Sequence, residues 1–136
     1  MKFPNKYIKK GKFKLHSGEE TDTFYDVNEF ITDGDNLWRL LVQFINEKRS
    51  GYFGTFVGIA TGGAIIASQY MSFAMIKDGK LIGEVKEKYC LIDDVVTTEN
   101  SLKEAIEIIG KEPVQIFVVV DRRKEKTLDI TNMYEV

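Results

Sequence analysis

The chain has 136 residues, 43% hydrophobic and 29% charged, with a formal net charge of -2. That length suits one domain around one hydrophobic core, and the balance is not that of a disordered or membrane chain. The slight acidity argues against a general nucleic-acid binder, no apolar run approaches the roughly 20 residues that span a bilayer, and a single Cys excludes an internal disulfide framework.

The opening Met1-Lys2-Phe3-Pro4-Asn5-Lys6 lacks the apolar core of a signal peptide, so the cytoplasm is the expected location. Lys6, Lys9, Lys10, Lys12 and Lys14 form a basic cluster that reads first as a solvated surface, with phosphate attraction at a site mouth as the alternative. Leu37, Leu40, Leu41, Phe44 and Ile45 fall on one face of a helix that Asp33 or Asp35 can begin. Gly54 to Ala60 is a short β-branched run that meets Thr61-Gly62-Gly63 and then a helix-like Ala64 to Tyr70. Between Ser72 and Val85, two short runs flank Lys77-Asp78-Gly79-Lys80, and Asp-Gly signals a tight hairpin.

The second half repeats the strand-turn-helix grammar. A strand over Tyr89 to Asp93, with Cys90 as a core residue, leads through a polar turn into a helix spaced by Leu102, Ala105, Ile106 and Ile109, which Gly110 can end in the left-handed conformation. After Pro113, Val114 to Val120 is almost wholly apolar, as a parallel strand covered on both faces should be. Strands alternating with helices predict an α/β parallel sheet.

In such sheets ligands bind beyond the carboxyl ends of the strands, which is where Asp93 to Ser101 falls. Backbone amides opening a helix attract phosphate, and Thr97, Thr98 and Ser101 add hydroxyl donors. Asp93 and Asp94 can accept hydrogen bonds from ribose hydroxyls or orient hydrated Mg²⁺. The plainer reading is an Asp-rich loop that caps a helix.

The run Cys90-Leu91-Ile92-Asp93-Asp94-Val95-Val96-Thr97-Thr98-Glu99-Asn100-Ser101 resembles the phosphoribosyl-pyrophosphate signature of type I phosphoribosyltransferases. Phe13-Lys14-Leu15-His16-Ser17-Gly18, followed by Phe24-Tyr25-Asp26, narrows the resemblance to orotate phosphoribosyltransferases. The resemblance implies a single phosphoribosyltransferase-like (Rossmann-like) domain over 1–136. Residues 1–33 would form a base-binding hood and residues 34–136 the α/β core. It implies an Mg²⁺-dependent glycosyltransferase that moves ribose 5-phosphate from phosphoribosyl pyrophosphate to orotate, and a homodimer. Asp93 to Ser101, Val95, Val96, Glu99 and Asn100 included, would hold ribose and phosphate. Asp93 and Asp94 would meet the metal through water, Ala60-Thr61-Gly62-Gly63 would meet pyrophosphate, and His16, Phe24, Tyr25 and Arg122 would meet the base.

Three features depart from the family pattern, the first at Glu99 and Asn100. Glu99 brings a charge where small residues are usual, so its carboxylate must point away from bound phosphate. His16 replaces a Lys or Arg and reads equally as a pH-dependent phosphate contact or a surface residue. The family's mobile basic loop is reduced to Met75 to Lys80, which leaves Lys77 and Lys80 as the local substitutes for its catalytic cations. A tight hairpin does not sweep over a ligand as a long lid does. A nucleotide- or phosphoribosyl-pyrophosphate-binding sensor, and an enzyme for another base, therefore stand as alternatives.

Overall fold

The computed structural model describes residues 2–15, 18–48, 54–70 and 72–136. After a 3₁₀ turn at Asn5–Tyr7, β1 (Ile8–Lys14) pairs antiparallel with β2 (Glu20–Tyr25) in a two-stranded sheet separate from the main one. Lys9, Lys10, Lys12 and Lys14 of the lysine cluster thus lie on a strand, and Lys6 in the turn before it. The strand form was not apparent in the lysine-rich sequence because β1 is largely exposed, with little apolar alternation to read. Two short acids then start helices: Asp26 accepts from Glu29 N–H (3.0 Å) ahead of α1 (Val27–Phe30), and Asp33 accepts from Asp35 N–H (2.9 Å) ahead of α2 (Gly34–Asn46). Leu40 and Phe44 of α2 are buried as predicted, but Ile45 is exposed. At 3.6 residues per turn Ile45 lies about 80° around the helix from Leu37, beyond the face that meets the sheet.

The main sheet is built from β3 (Thr55–Ile59), β4 (Phe73–Lys77), β5 (Lys80–Ile82), β6 (Tyr89–Val96), β7 (Gln115–Asp121) and β8 (Thr131–Glu135), in the order β5-β4-β3-β6-β7-β8. All neighbours are parallel except β4 and β5. Those two are joined by Asp78 and Gly79 at φ 52° and 73°, the consecutive positive values that a tight hairpin of this twist requires. Helix α3 (Gly62–Ala67) follows β3, and α4 (Asn100–Ile109) follows β6. Gly110 ends α4 at φ 86°, its N–H donating to Ile106 O. Every residue of β7 is buried.

One face of the sheet packs Cys90, Ile92 and Phe117 against Leu40 and Phe44, with the Phe44 and Phe117 rings stacked at 4.5 Å. The other face packs Leu91, Ile116 and Val118 against Leu102 and Ala105 of α4. Cys90 is core, and burial pushes its thiol up. The β6 strand runs three residues beyond the predicted end: Asp93, Val95 and Val96 pair with Val118, Val120 and Asp121. The acidic pair therefore belongs to a strand rather than a turn, because Val95 and Val96 are β-branched and Val96 is buried.

Close packing at the end of β3 depends on glycines. A Cβ at Gly58 would stand 2.1 Å from Gly63 O, and one at Gly63 would stand 2.4 Å from Ile92 O. Their absence seats the first turn of α3 against β3 and β6, beside Asp94.

Candidate active site

A cleft of about 650 Å³ opens at the carboxyl ends of β3, β4, β6 and β7. Its roof is the β1–β2 hairpin, which contributes Lys14, Leu15, Phe24 and Tyr25; Asn28 of α1 lies beside them. The β3 end brings Ile59, Ala60 and Thr61, and the β4–β5 hairpin brings Ile76 to Gly79. Asp93, Asp94, Val95, Thr97, Thr98 and Ser101 form the central wall, and Arg122 comes from the end of β7. Among the described residues, the cleft thus gathers most of the side chains singled out in the sequence.

Several predicted residues stand elsewhere. Gly62 and Gly63 are buried behind Thr61, where they serve contacts with Asn28, Asp94 and Ile92. Val96 faces the core, and Asn100 and Lys80 lie outside the lining. His16 falls outside the described residues. Asn28 and Glu104 line the cleft without having been predicted to, and Lys14 lines it in keeping with the alternative reading of the basic cluster, phosphate attraction at a site mouth. Glu104 was signalled by spacing, since it lies one helical turn beyond Ser101. Nothing in the sequence marks Asn28.

Along β6 the two acids are held by neighbouring amides. Asp93 Oδ1 accepts from Asp94 N–H at 2.8 Å, and Asp94 Oδ1 accepts from Val95 N–H at 2.7 Å. Burial, and then the adjacent Asp94 charge, push the Asp93 carboxyl well above the usual carboxylate range. Beyond them Thr97, Thr98 and Ser101 lead into α4, whose N-cap residue supplies no side-chain acceptor to the first-turn amides.

That N-cap residue is Glu99, and its carboxylate does point away from the cleft. It accepts from Arg123 Nη1 (2.6 Å), Thr127 N–H (2.8 Å), Leu128 N–H (2.9 Å) and the Thr127 hydroxyl. Burial alone would raise this carboxyl, but those hydrogen bonds outweigh it and hold the group at about 2.

Arg122, the residue expected at the base, and its neighbour Arg123 separate in space. Arg122 lies 4.8 Å from the Tyr25 ring centre and donates to Thr23 O (3.2 Å) and Thr21 Oγ1 (3.3 Å), which ties β2 to the end of β7. Tyr25 also packs against Phe3, while Phe24 stacks with Phe13 at 5.4 Å. Each aromatic thus has a packing role and a cleft-facing one.

The cleft lining carries the cations Lys14, Lys77 and Arg122 against the acids Asp78, Asp93, Asp94 and Glu104. Among the described residues no three acidic, His or Cys side chains cluster as a metal cage. An adjacent carboxylate pair suits Mg²⁺, which keeps several waters and takes its other ligands from substrate phosphates.

No family model matches the chain. An orotate phosphoribosyltransferase from Methanosphaera stadtmanae is 32% identical over 138 residues, covering 88% of this chain and 78% of the relative. The chain belongs to the orotate phosphoribosyltransferase family. A second member, from Pyrococcus furiosus, is 33% identical over 141 residues, covering 86% of the chain and 75% of the relative. The crystal structure of orotate phosphoribosyltransferase from Aeropyrum pernix superposes with a TM-score of 0.73 at 21% identity, over 85% of this chain and 76% of that one, a likeness of fold. Enzymes of this family are phosphoribosyltransferases, a class of glycosyltransferases, and generally use Mg²⁺ with phosphoribosyl pyrophosphate. No helix among the described residues is long and apolar enough to cross a membrane.

Proposed function

We propose that the chain transfers the phosphoribosyl group of phosphoribosyl pyrophosphate to orotate, forming orotidine 5′-monophosphate and pyrophosphate. One observation carries this reading: Arg122, set against Tyr25 under the hood, shares a single cleft with Asp93, Asp94 and the Thr97 to Ser101 loop. Thr97, Thr98, Ser101 and the amides opening α4 hold the 5′-phosphate. Asp93 and Asp94 accept from the ribose hydroxyls, and the same pair would hold Mg²⁺ through water. Ala60 and Thr61 meet pyrophosphate, Phe24 and Tyr25 flank the pyrimidine, and Arg122 forms a two-point contact with the orotate carboxylate.

The bond from the anomeric carbon to the pyrophosphate oxygen breaks, and its electron pair leaves on pyrophosphate. The orotate ring nitrogen gives up its proton to water and supplies the pair for the new carbon–nitrogen bond. Bound Mg²⁺ supplies charge neutralisation to the departing pyrophosphate. Lys77, at the β4 end, is the chain's own cation nearest that role, with Lys80 beyond the turn. Catalysis is positioning and electrostatics, with no covalent nucleophile. We expect a cytoplasmic homodimer in which a second copy adds cationic groups beside the short hairpin, with residues 1–33 serving as the hood of a single domain.

The two-residue turn between β4 and β5 favours a second reading, a binding module that senses phosphoribosyl pyrophosphate without turnover. The test is to incubate the protein with phosphoribosyl pyrophosphate, Mg²⁺ and a panel of bases, following pyrophosphate release beside ligand binding. Release that depends on orotate supports the transferase. Binding with no release selects the sensor, and release with a different base alone reassigns the specificity.

A further inference from the structure

Arg123 is buried, and its guanidinium is divided between two carboxylates from different segments. Nε donates to Asp121 Oδ1 (3.0 Å) and Nη2 to Asp121 Oδ2 (2.8 Å), while Nη1 donates to Glu99 Oε2 (2.6 Å) and Leu128 O (2.8 Å). Glu99 in turn accepts the backbone amides of Thr127 and Leu128. The cluster ties together the opening of α4, the end of β7 and the connection to β8. A buried charge cluster is a weak source of net stability, because desolvation offsets its attraction; what it supplies is fixed geometry.

That geometry bears on the residue in between. Asp121 Oδ1 also accepts Arg123 N–H at 3.0 Å, and Arg122 N–H donates to Val96 O at 2.8 Å. The backbone of Arg122 is therefore pinned on both sides, with Arg123 turned inward and Arg122 turned to the cleft. The same cluster fixes Glu99, which directly follows the Thr97-Thr98 pair.

We propose that Arg123, with Glu99 and Asp121, is the positioning device that sets the spacing between the phosphate loop and Arg122, so that base and ribose phosphate meet at reacting distance. The proposal rests on the transferase reading above. None of the three side chains need touch substrate.

Orotidine 5′-monophosphate spans both subsites, whereas ribose 5-phosphate occupies one, so their affinities separate spacing from folding. In Arg123→Lys, which keeps the charge and loses the fork, the dissociation constant for orotidine 5′-monophosphate should rise about tenfold, while that for ribose 5-phosphate stays within about twofold at a temperature where circular dichroism shows the fold intact. Thr127→Val, which removes one donor to Glu99 and keeps both amides, should shift the nucleotide affinity in the same direction by about threefold, and it carries the test if Arg123→Lys does not fold. A lower melting temperature with both affinities unchanged, or both affinities falling in parallel, would overturn the proposal. A parent chain that binds ribose 5-phosphate but not orotidine 5′-monophosphate would overturn the orotate reading itself, and this inference with it.

Discussion

Glu99 makes the acid stability of this protein predictable. Its carboxyl, ordinarily near 4.5, is held at about 2 by Thr127, Leu128 and Arg123. Because the folded state binds this proton more weakly than the unfolded state, the contribution is fully present above pH 4.5 and is lost as pH falls toward 2. At about 1.4 kcal/mol per tenfold change in proton affinity, the difference is worth about 3 kcal/mol. Urea midpoints of the parent and Glu99→Gln, compared from pH 7 to pH 2.5, should show the variant less stable by about that amount at neutrality, or about 2 M urea at a slope near 1.5 kcal/mol/M. Most of that gap should close by pH 2.5. Asp93 has the opposite sign: its carboxyl is raised by burial and by Asp94, so its unfavourable burial is relieved as pH falls. Both chains contain Asp93, so its effect cancels in the difference. Parallel curves between pH 5 and pH 2.5 would refute this account of Glu99.

Three further substitutions test other parts of the site. Asp94→Asn should weaken Mg²⁺-dependent binding of phosphoribosyl pyrophosphate at least about tenfold while leaving the thermal midpoint within a few degrees, and unchanged binding would remove Asp94 from the site. Gly58→Ala places a methyl 2.1 Å from Gly63 O and 2.6 Å from Ala64 Cα, both backbone atoms, so it should cost at least about 2 kcal/mol in chemical denaturation. An unchanged midpoint there would mean that α3 is not seated as described. Arg122→Lys keeps the charge but loses the planar fork, and should raise the KM for orotate about tenfold with little effect on ribose 5-phosphate affinity. Equal orotate kinetics would take Arg122 out of the base contact.

What could be read in advance was what local chemistry dictates. Asp78-Gly79 specified a hairpin because few residue pairs accept two positive φ values in succession, and Gly110 closed α4 for the same reason. The apolar run before Arg122 specified a strand covered on both faces. Features set by distant partners were not legible. Glu99 looked like a charge intruding on a phosphate loop because Arg123 and Thr127 lie more than twenty residues away along the chain. Gly62 and Gly63 were expected to let the backbone approach pyrophosphate, but their missing Cβ atoms also make room for Asn28, Asp94 and Ile92. The short edge strand β8, Thr-Asn-Met-Tyr-Glu, has no apolar run of its own and exists through its pairing with β7. Adjacent arginines carry the same chemistry, and only the turn at Asp121 decides which one faces the cleft.

The proposed function sets Arg122, at the end of β7, and the Thr97 to Ser101 segment to work on one substrate pair. It is tested most directly by following orotidine 5′-monophosphate as a product, with the protein, phosphoribosyl pyrophosphate, orotate and Mg²⁺ together. Nucleotide should form in equal amount to pyrophosphate and disappear when Mg²⁺ is chelated. Saturable binding of phosphoribosyl pyrophosphate with no nucleotide formed would contradict it.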